Sequence, residues 1–360
     1  MSARRSGRAA VFVALVFGIA LGGAGGYLLC RHLGQGTEAA GVPRPDEASD
    51  GGENIAVAGA RGSGDQLPQE SEVLEPGDNQ RLLDLKVSTS LYATMSREIE
   101  GREADVVNAH LGRILVWWLD LRRDVLKADK IQILYERAEN PEDLRLLAVR
   151  YKSRKLGQTL NAYYFKPEGA KYGRYYDKKG TEVEKRLVNS PIKNYEQVTE
   201  RMNLAGRRHR GVDFKTDVGT PVAAPYKSKV MRRNWNTMLN GKCLELRYVD
   251  LGISAFFLHL DEVLPAAVPG NTVEAGTLLA RTGNTGHSTA PHLHYELHGK
   301  NNRLLDPFDV GETTRKLLEG KDLARFNAKR DRYDRILSGA GSSRESSGQP
   351  NASTTSKTKK

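Results

Sequence analysis

From Thr282 to Lys300 the chain reads TGNTGHSTAPHLHYELHGK, and from His292 onward apolar and polar residues alternate. In an extended strand successive side chains point to opposite faces. Leu293, Tyr295 and Leu297 therefore share one face, and His292, His294, Glu296 and His298 share the other. The pattern predicts a strand with one side on an apolar core and the other lining something polar. LELRYVDLGISAFFLHLDEV alternates twice around Gly252, predicting a hairpin in which Ile253, Ala255, Phe257 and His259 share a face and His259 closes the strand. TPVAAP, KIQILYE, LRLLAVRYKSR and QTLNAYYF read as further strands, and GRYYDKKGTEVEK as a hairpin turning at Lys179 and Gly180. One segment has helical period instead. READVVNAHLGRILVWWLDLRRDVL places Val106, Val107, Leu111, Ile114, Leu115 and Trp118 on a stripe that Trp117 widens, the pattern of a core-facing amphipathic helix.

The ends of the chain follow neither period. Arg4, Arg5 and Arg8 precede an almost uncharged run from Ala9 to Cys30, 22 residues long. About 20 residues span a hydrocarbon core, whereas a cleaved signal has an apolar region of roughly 7–15 residues. The run predicts one transmembrane anchor over residues 9–31, with residues 1–8 as a cytoplasmic basic stub and the rest of the chain outside the membrane. Residues 32–81 are rich in Gly, Glu, Asp and Ala and poor in large apolar side chains, a composition that cannot offset its conformational entropy. They are expected to form a disordered acidic linker, and residues 339–360 a disordered basic tail. Between them we expect an α+β domain over 82–150, a β accessory domain over 151–200, an all-β domain over 201–312 and a helical extension over 313–338. No repeat of fixed period is visible. The fold class is mainly β.

The formal charge of +11 would raise nucleic acid as a partner for an intracellular protein. Outside the membrane it reads as a solvated or polyanion-facing surface, and no nucleic-acid partner is expected. Cys30 lies at the membrane and Cys243 in a core-like strand, so no stabilising disulfide is expected. Histidine changes the picture more. Six of the eight lie between His209 and His298, too many for packing to need. His209 and Asp213 are four apart, but Gly211, Val212 and Phe214 argue for a loop entering a strand. With His259, His292 and His294 they form a set of imidazoles and one carboxylate that suits Zn²⁺, which in catalytic sites takes three protein ligands and keeps one position open. HExxH is absent from the chain, which excludes the helical arrangement of two histidines. Spacing alone leaves open whether His292 or His294 is the ligand, because both point the same way.

HRGVDF followed by GTPV, an isolated His259 after an apolar strand, and TGNTGHSTAPHLHYEL together resemble the LytM/lysostaphin-type zinc metallopeptidases of family M23, whose motifs are HxxxD and HxH. The resemblance covers residues 201–310 and is specific, since ordered motifs and intervening glycines agree. YYFKPEGAKYGRYYDKKGTEVEKRLVNSPIKNY is more weakly similar to the β-domain ahead of the catalytic domain in membrane-anchored murein DD-endopeptidases of Gram-negative bacteria. By position, residues 82–150 then correspond to a LysM-like or inhibitory domain, which would position or occlude the groove.

Carried over residue by residue, the resemblance implies an antiparallel β catalytic domain in which His209, Asp213 and His294 bind Zn²⁺ and His259 and His292 are the catalytic pair. His292 becomes the base and His259 the group beside the oxyanion. Glu296 or a main-chain carbonyl would orient a ligand imidazole, while His287 and His298 read as rim residues. The implied function is zinc-dependent hydrolysis of peptide cross-links in peptidoglycan by a single-pass inner-membrane protein with its catalytic domain in the periplasm, under protein regulators the sequence does not identify. Two other readings stand beside it: a silent domain that activates wall amidases, and a zinc peptidase acting on secreted protein. Family M23 proteins that only bind usually lack ligand residues, and here all five positions are filled. The chain departs from the family pattern in the short loop TERMNLAGRRH and in APYKSKVM, both beside the groove. Lys227 and Lys229 there either meet carboxylates of a peptide stem or stay on the surface.

Overall fold

The alternating segments pair into antiparallel sheets in the computed structural model, which describes residues 74–202 and 209–345. The expected stub, membrane anchor and most of the linker lie outside the described residues. Among the described residues no helix is long and apolar enough to cross a membrane.

The first sheet has the order β1 (Gln80–Lys86), β2 (Lys130–Glu136), β3 (Arg145–Ser153), β4 (Gln158–Phe165) and β5 (Arg174–Tyr176), each antiparallel to its neighbour. Helices α1 (Leu91–Glu98) and α2 (Gly101–Leu115) lie between β1 and β2 in sequence, and Ser90 caps α1 by accepting from the Ala93 amide. The predicted apolar stripe holds over α2, where Val106, Val107, Leu111, Ile114 and Leu115 are buried in one core with Ile131, Ile133, Val149 and Tyr151 of the sheet, but the helix ends at Leu115, so the buried Trp117 and the partly buried Trp118 lie in the turn beyond it.

The second sheet belongs to the histidine-rich third. Its strands are β7 (Gln197–Glu200), β8 (Val212–Lys215), β9 (Pro221–Ala223), β10 (Ser228–Arg233), β11 (Lys242–Tyr248), β12 (Ile253–Val263), β13 (Thr272–Val273), β14 (Leu278–Thr282), β15 (His292–His298) and β16 (Leu304–Leu305). The main path runs β13-β10-β11-β12-β15-β8-β7, with β14 bridging β12 and β9, and β16 beside β15. Strands β6 (Arg186–Leu187) and β17 (Thr313–Thr314) form a separate pair, and α3 (Thr237–Asn240) and α4 (Pro307–Val310) are single turns. The site histidines lie in the centre of this sheet, where β15 is paired on both sides.

The last helix, α5 (Gly320–Glu345), returns to the first sheet. Phe326, Tyr333, Ile336 and Leu337 form a second core with Leu134, Leu147, Tyr163 and Phe165, and Asp334 accepts from both Arg150 and Tyr163 at 2.7 Å. The first sheet is thus covered by α2 on one face and α5 on the other.

Four expected boundaries move. The division at residue 150 falls inside β3, a single strand hydrogen-bonded on both sides, so residues 80–176 share one sheet. The edge at residue 201 cuts off β7, which pairs with β8, and Tyr195, whose ring meets Phe214 at 4.9 Å. The linker ends before Gln80, and α5 runs past Gly339 to Glu345; the remainder of the expected tail is outside the described residues. Periodicity reports which face of a segment is apolar and carries no information on which distant segment covers it.

Candidate metal centre

Strand pairing brings the first two groups together. In the β8–β15 ladder Asp213 is directly opposite His294. Opposed side chains on one face lie about 4.5–5.5 Å apart at Cβ, and here Oδ1 of Asp213 is 2.6 Å from Nδ1 of His294. His209 enters just before β8, with its ring edge-on to His294 at 4.9 Å between centroids and its Nε2 3.4 Å from the same Asp213 oxygen. Gly211 makes that entry possible: a Cβ there would stand 2.4 Å from the carbonyl oxygen of Tyr295.

The three donor atoms lie within 4.8 Å of one another. Nε2 of His209 is buried and no hydrogen bond satisfies it, the Asp213 oxygen standing 3.4 Å away. Leaving a buried polar atom unpaired costs about 1–3 kcal/mol, and a divalent ion would satisfy it. Two imidazole nitrogens with one carboxylate oxygen are the donor chemistry of zinc, so the residues fit the implied metal. Electrostatics runs the same way. Burial raises the Asp213 carboxyl, but His209 and His294 outweigh it and hold the group far below the ordinary carboxylate range. Burial lowers His294, yet Asp213 and Glu296 overcome that and lift it to about 9.

His259 and His292 face the same centre, with rings 4.9 Å apart. Nδ1 of His259 is 2.9 Å from the Thr285 carbonyl and Nδ1 of His292 is 2.8 Å from the Ala290 carbonyl. A carbonyl only accepts, so both Nδ1 atoms carry the proton and each neutral ring keeps a bare Nε2. For His292 that nitrogen lies 3.7 Å from Asp213. Burial depresses the His259 imidazole below its ordinary value, offset only in part by Thr285.

His259 differs from the sequence reading in its backbone. Its φ is +60°, a left-handed residue inside β12, next to register shifts against β11 and β14. The strand therefore does not close at His259 but bulges there and continues to Val263. Such bulges re-aim a side chain, and a strained non-glycine residue often marks a functional site. The Thr285 loop that holds the ring approaches α3 closely: at Gly286, φ +73°, a Cβ would stand 2.2 Å from the Gly241 amide.

All five predicted residues thus meet at one place. Lys227, at the expected groove, pairs with Glu274 at 3.1 Å as a surface lysine. His287 is exposed, as expected of a rim residue. His298 is not at the rim. It is 5% exposed and donates to Glu296, which also accepts from Nε2 of His294. The alternation of β15 already placed these residues on one face; the depth of that face was not legible. The site opens into a cavity of about 1150 Å³ bounded by Asp213, His292 and Lys215 and, from α2, by His110 and Arg113.

Comparison with known proteins agrees in place with this geometry. Residues 207–307 match peptidase family M23. A metalloprotease of Haemophilus influenzae is 36% identical over 146 residues, 38% of this chain and 30% of that protein. The peptidoglycan DD-endopeptidase ShyB of Vibrio cholerae is 26% identical over 249 residues, 64% of this chain and 54% of its own length. The chain thus spans about a third to a half of the length of the curated relatives it matches. Among solved structures, a zinc-containing peptidase from Vibrio cholerae aligns with a TM-score of 0.30 and 27% identity, covering 63% of this chain and 69% of that one.

Proposed function

Taking residues 207–307 as the M23 peptidase domain they match, we propose that this chain is a zinc-dependent endopeptidase that hydrolyses peptide cross-links of peptidoglycan. The observation that carries the reading is the convergence of His209, Asp213 and His294 from β8 and β15, with the bare Nε2 atoms of His259 and His292 turned to the same point. The peptidoglycan substrate is supported by the DD-endopeptidases among the relatives.

His209 Nε2, Asp213 Oδ1 and His294 Nδ1 would hold the ion. When bound, zinc supplies a Lewis acid for the scissile carbonyl and lowers the pKa of water from ~16 towards ~7. His292 accepts the proton of the attacking water on Nε2, its other nitrogen being fixed by Ala290. General base action of this kind contributes about 10²–10⁴-fold. His292 then returns that proton to the departing amine, and His259, its ring held through Nδ1 by the Thr285 carbonyl, borders the oxyanion. The cavity beside His292 is the path for the stem peptide, with Arg113 on its wall for a peptide carboxylate, while Lys215 there is paired with Glu196 at 3.0 Å.

A membrane-anchored, periplasmic enzyme is part of the same proposal, supported by the apolar run from Ala9 to Cys30 behind Arg4, Arg5 and Arg8. The test is incubation of the full chain, in detergent, with purified sacculi. Release of uncross-linked muropeptides, abolished by a chelator and restored by zinc, is the expected result. Binding without release, coupled to stimulation of an added amidase, would replace the proposal with the activator reading. Digestion of casein but not of sacculi would replace it with a protein peptidase.

A further inference from the structure

A line of side chains leads away from the back of His294. Its Nε2 lies 3.0 Å from Oε1 of Glu296, Oε2 of Glu296 lies 2.7 Å from Nε2 of His298, and Nδ1 of His298 lies 2.5 Å from the side-chain amide of Asn302. Glu296 and His298 are 8% and 5% exposed, in the middle of the sheet. Burying a carboxylate and an imidazole side by side is costly unless each polar atom is matched, and here every one has a partner.

The arrangement fixes directions. An ionised carboxylate only accepts, so both His294 and His298 must present Nε2–H to Glu296. His298 then uses Nδ1 towards Asn302, whose amide can turn either its oxygen or its nitrogen to the ring. The His298 ring lies against Phe256 with centroids 4.4 Å apart, which sets its plane. Asn301 and Asn302 both have left-handed backbones, φ +55° and +58°, so the turn that delivers the amide is held in a sparsely populated conformation. Remove His298, and the second oxygen of Glu296 keeps only the exposed Arg210 at 3.7 Å.

We propose that Glu296, His298 and Asn302 form a positioning relay for the metal centre. Asn302 and Phe256 set the His298 ring, His298 holds Glu296, and Glu296 keeps a proton of His294 on Nε2, so that Nδ1, which donates to Asp213 at 2.6 Å, is the nitrogen that exchanges its proton for a metal ion beside Asp213 and His209. The relay rests on the reading of His294 as a metal ligand. His298 and Asn302 are positioning residues that never touch substrate.

The test measures metal binding in the full chain, without substrate. Apo protein is titrated with zinc against a competing chelator, and the visible spectrum of the cobalt-substituted protein is recorded. His298→Ala is expected to weaken zinc binding about 10- to 100-fold and to shift the cobalt bands, the range found when outer partners of metal-bound histidines are removed. His298→Gln, whose amide nitrogen can donate to Glu296, is expected to recover most of that loss. Should the alanine variant fail to fold, His298→Met, which fills the space without an N–H, takes its place. Wild-type zinc affinity and an unaltered cobalt spectrum in the variant lacking the donor overturn the relay, as does a glutamine variant that binds as weakly as alanine. Wild-type protein that takes up no zinc strikes the metal-centre reading itself, so the two failures are separable.

Discussion

At the scale of single residues, roles separate by what their loss removes. Asp213→Asn takes the charged oxygen from the middle of the donor set, where it lies within 3.7 Å of His294, His209 and His292. Both zinc content, by elemental analysis, and muropeptide release are expected to fall to background. His292→Ala should retain zinc, because its Nδ1 is engaged with Ala290 and its Nε2 only borders the donor set. Its turnover should still drop about 10²–10⁴-fold, the usual worth of a general base. A variant at position 292 that loses zinc along with activity would move that histidine into the ligand set. His259 carries a different signature, since its φ is +60°. Left-handed backbone costs a residue with a Cβ about 1–2 kcal/mol, so His259→Gly should melt higher than His259→Ala while both are inactive. Equal melting temperatures would mean that the bulge relaxes when the ring is gone.

Elements show what could and could not be read in advance. The strand from His292 to His298 was legible because alternation is local, and the order of motifs located His209, Asp213 and His259 around it. Three things depend on distant segments and were not legible: the burial of His298, the bulge at His259, and the partner of α5. That helix shows no strong apolar stripe in sequence, yet Phe326 is 1% exposed and stands edge-on to Phe165, Tyr176 and Tyr163 at 5.7, 5.8 and 6.2 Å. Phe326→Ala should lower unfolding free energy by about 3–5 kcal/mol, the range for truncating a buried Phe. Urea denaturation measures it, and a loss under about 1 kcal/mol would show that α5 is not needed to close the first sheet. A second buried group ties pH to stability. Burial lifts the Glu184 carboxyl to about 7 in spite of Arg174 beside it, so the native state holds this proton more tightly than the unfolded chain. Its contribution is complete below the ordinary carboxylate pKa and is lost as pH rises through about 7. Urea stability of Glu184→Gln should therefore decline less than that of wild type between pH 5 and pH 8; parallel declines would assign the slope to other groups.

Across the whole molecule, the metal centre depends on residues that motif reading leaves outside it. Between α2 and the second sheet, Trp117 meets Phe308 edge-on at 5.1 Å, and Arg201 lies over both rings while bonding Asp306 at 2.9 Å. Upstream, β7 covers the outer edge of β8, the strand that carries Asp213, and Ile192, Tyr195 and Val198 are buried in the same core as Phe214. A fragment limited to residues 201–312 loses β7 and those three side chains. It exposes the edge of β8 and an apolar surface that needs cover, and an unpaired edge invites association. A fragment over 186–318 keeps β7, both strands of the β6–β17 pair and the Tyr195–Phe214 contact. We expect the longer fragment to be monomeric by size-exclusion chromatography and to bind zinc one to one, and the shorter one to aggregate or to hold zinc substoichiometrically. A monomeric short fragment with full zinc occupancy would show that the HxxxD and HxH strands hold their geometry unaided. Strand β7 would then be dispensable to the metal centre, and the upstream segments would be left with the cavity wall alone.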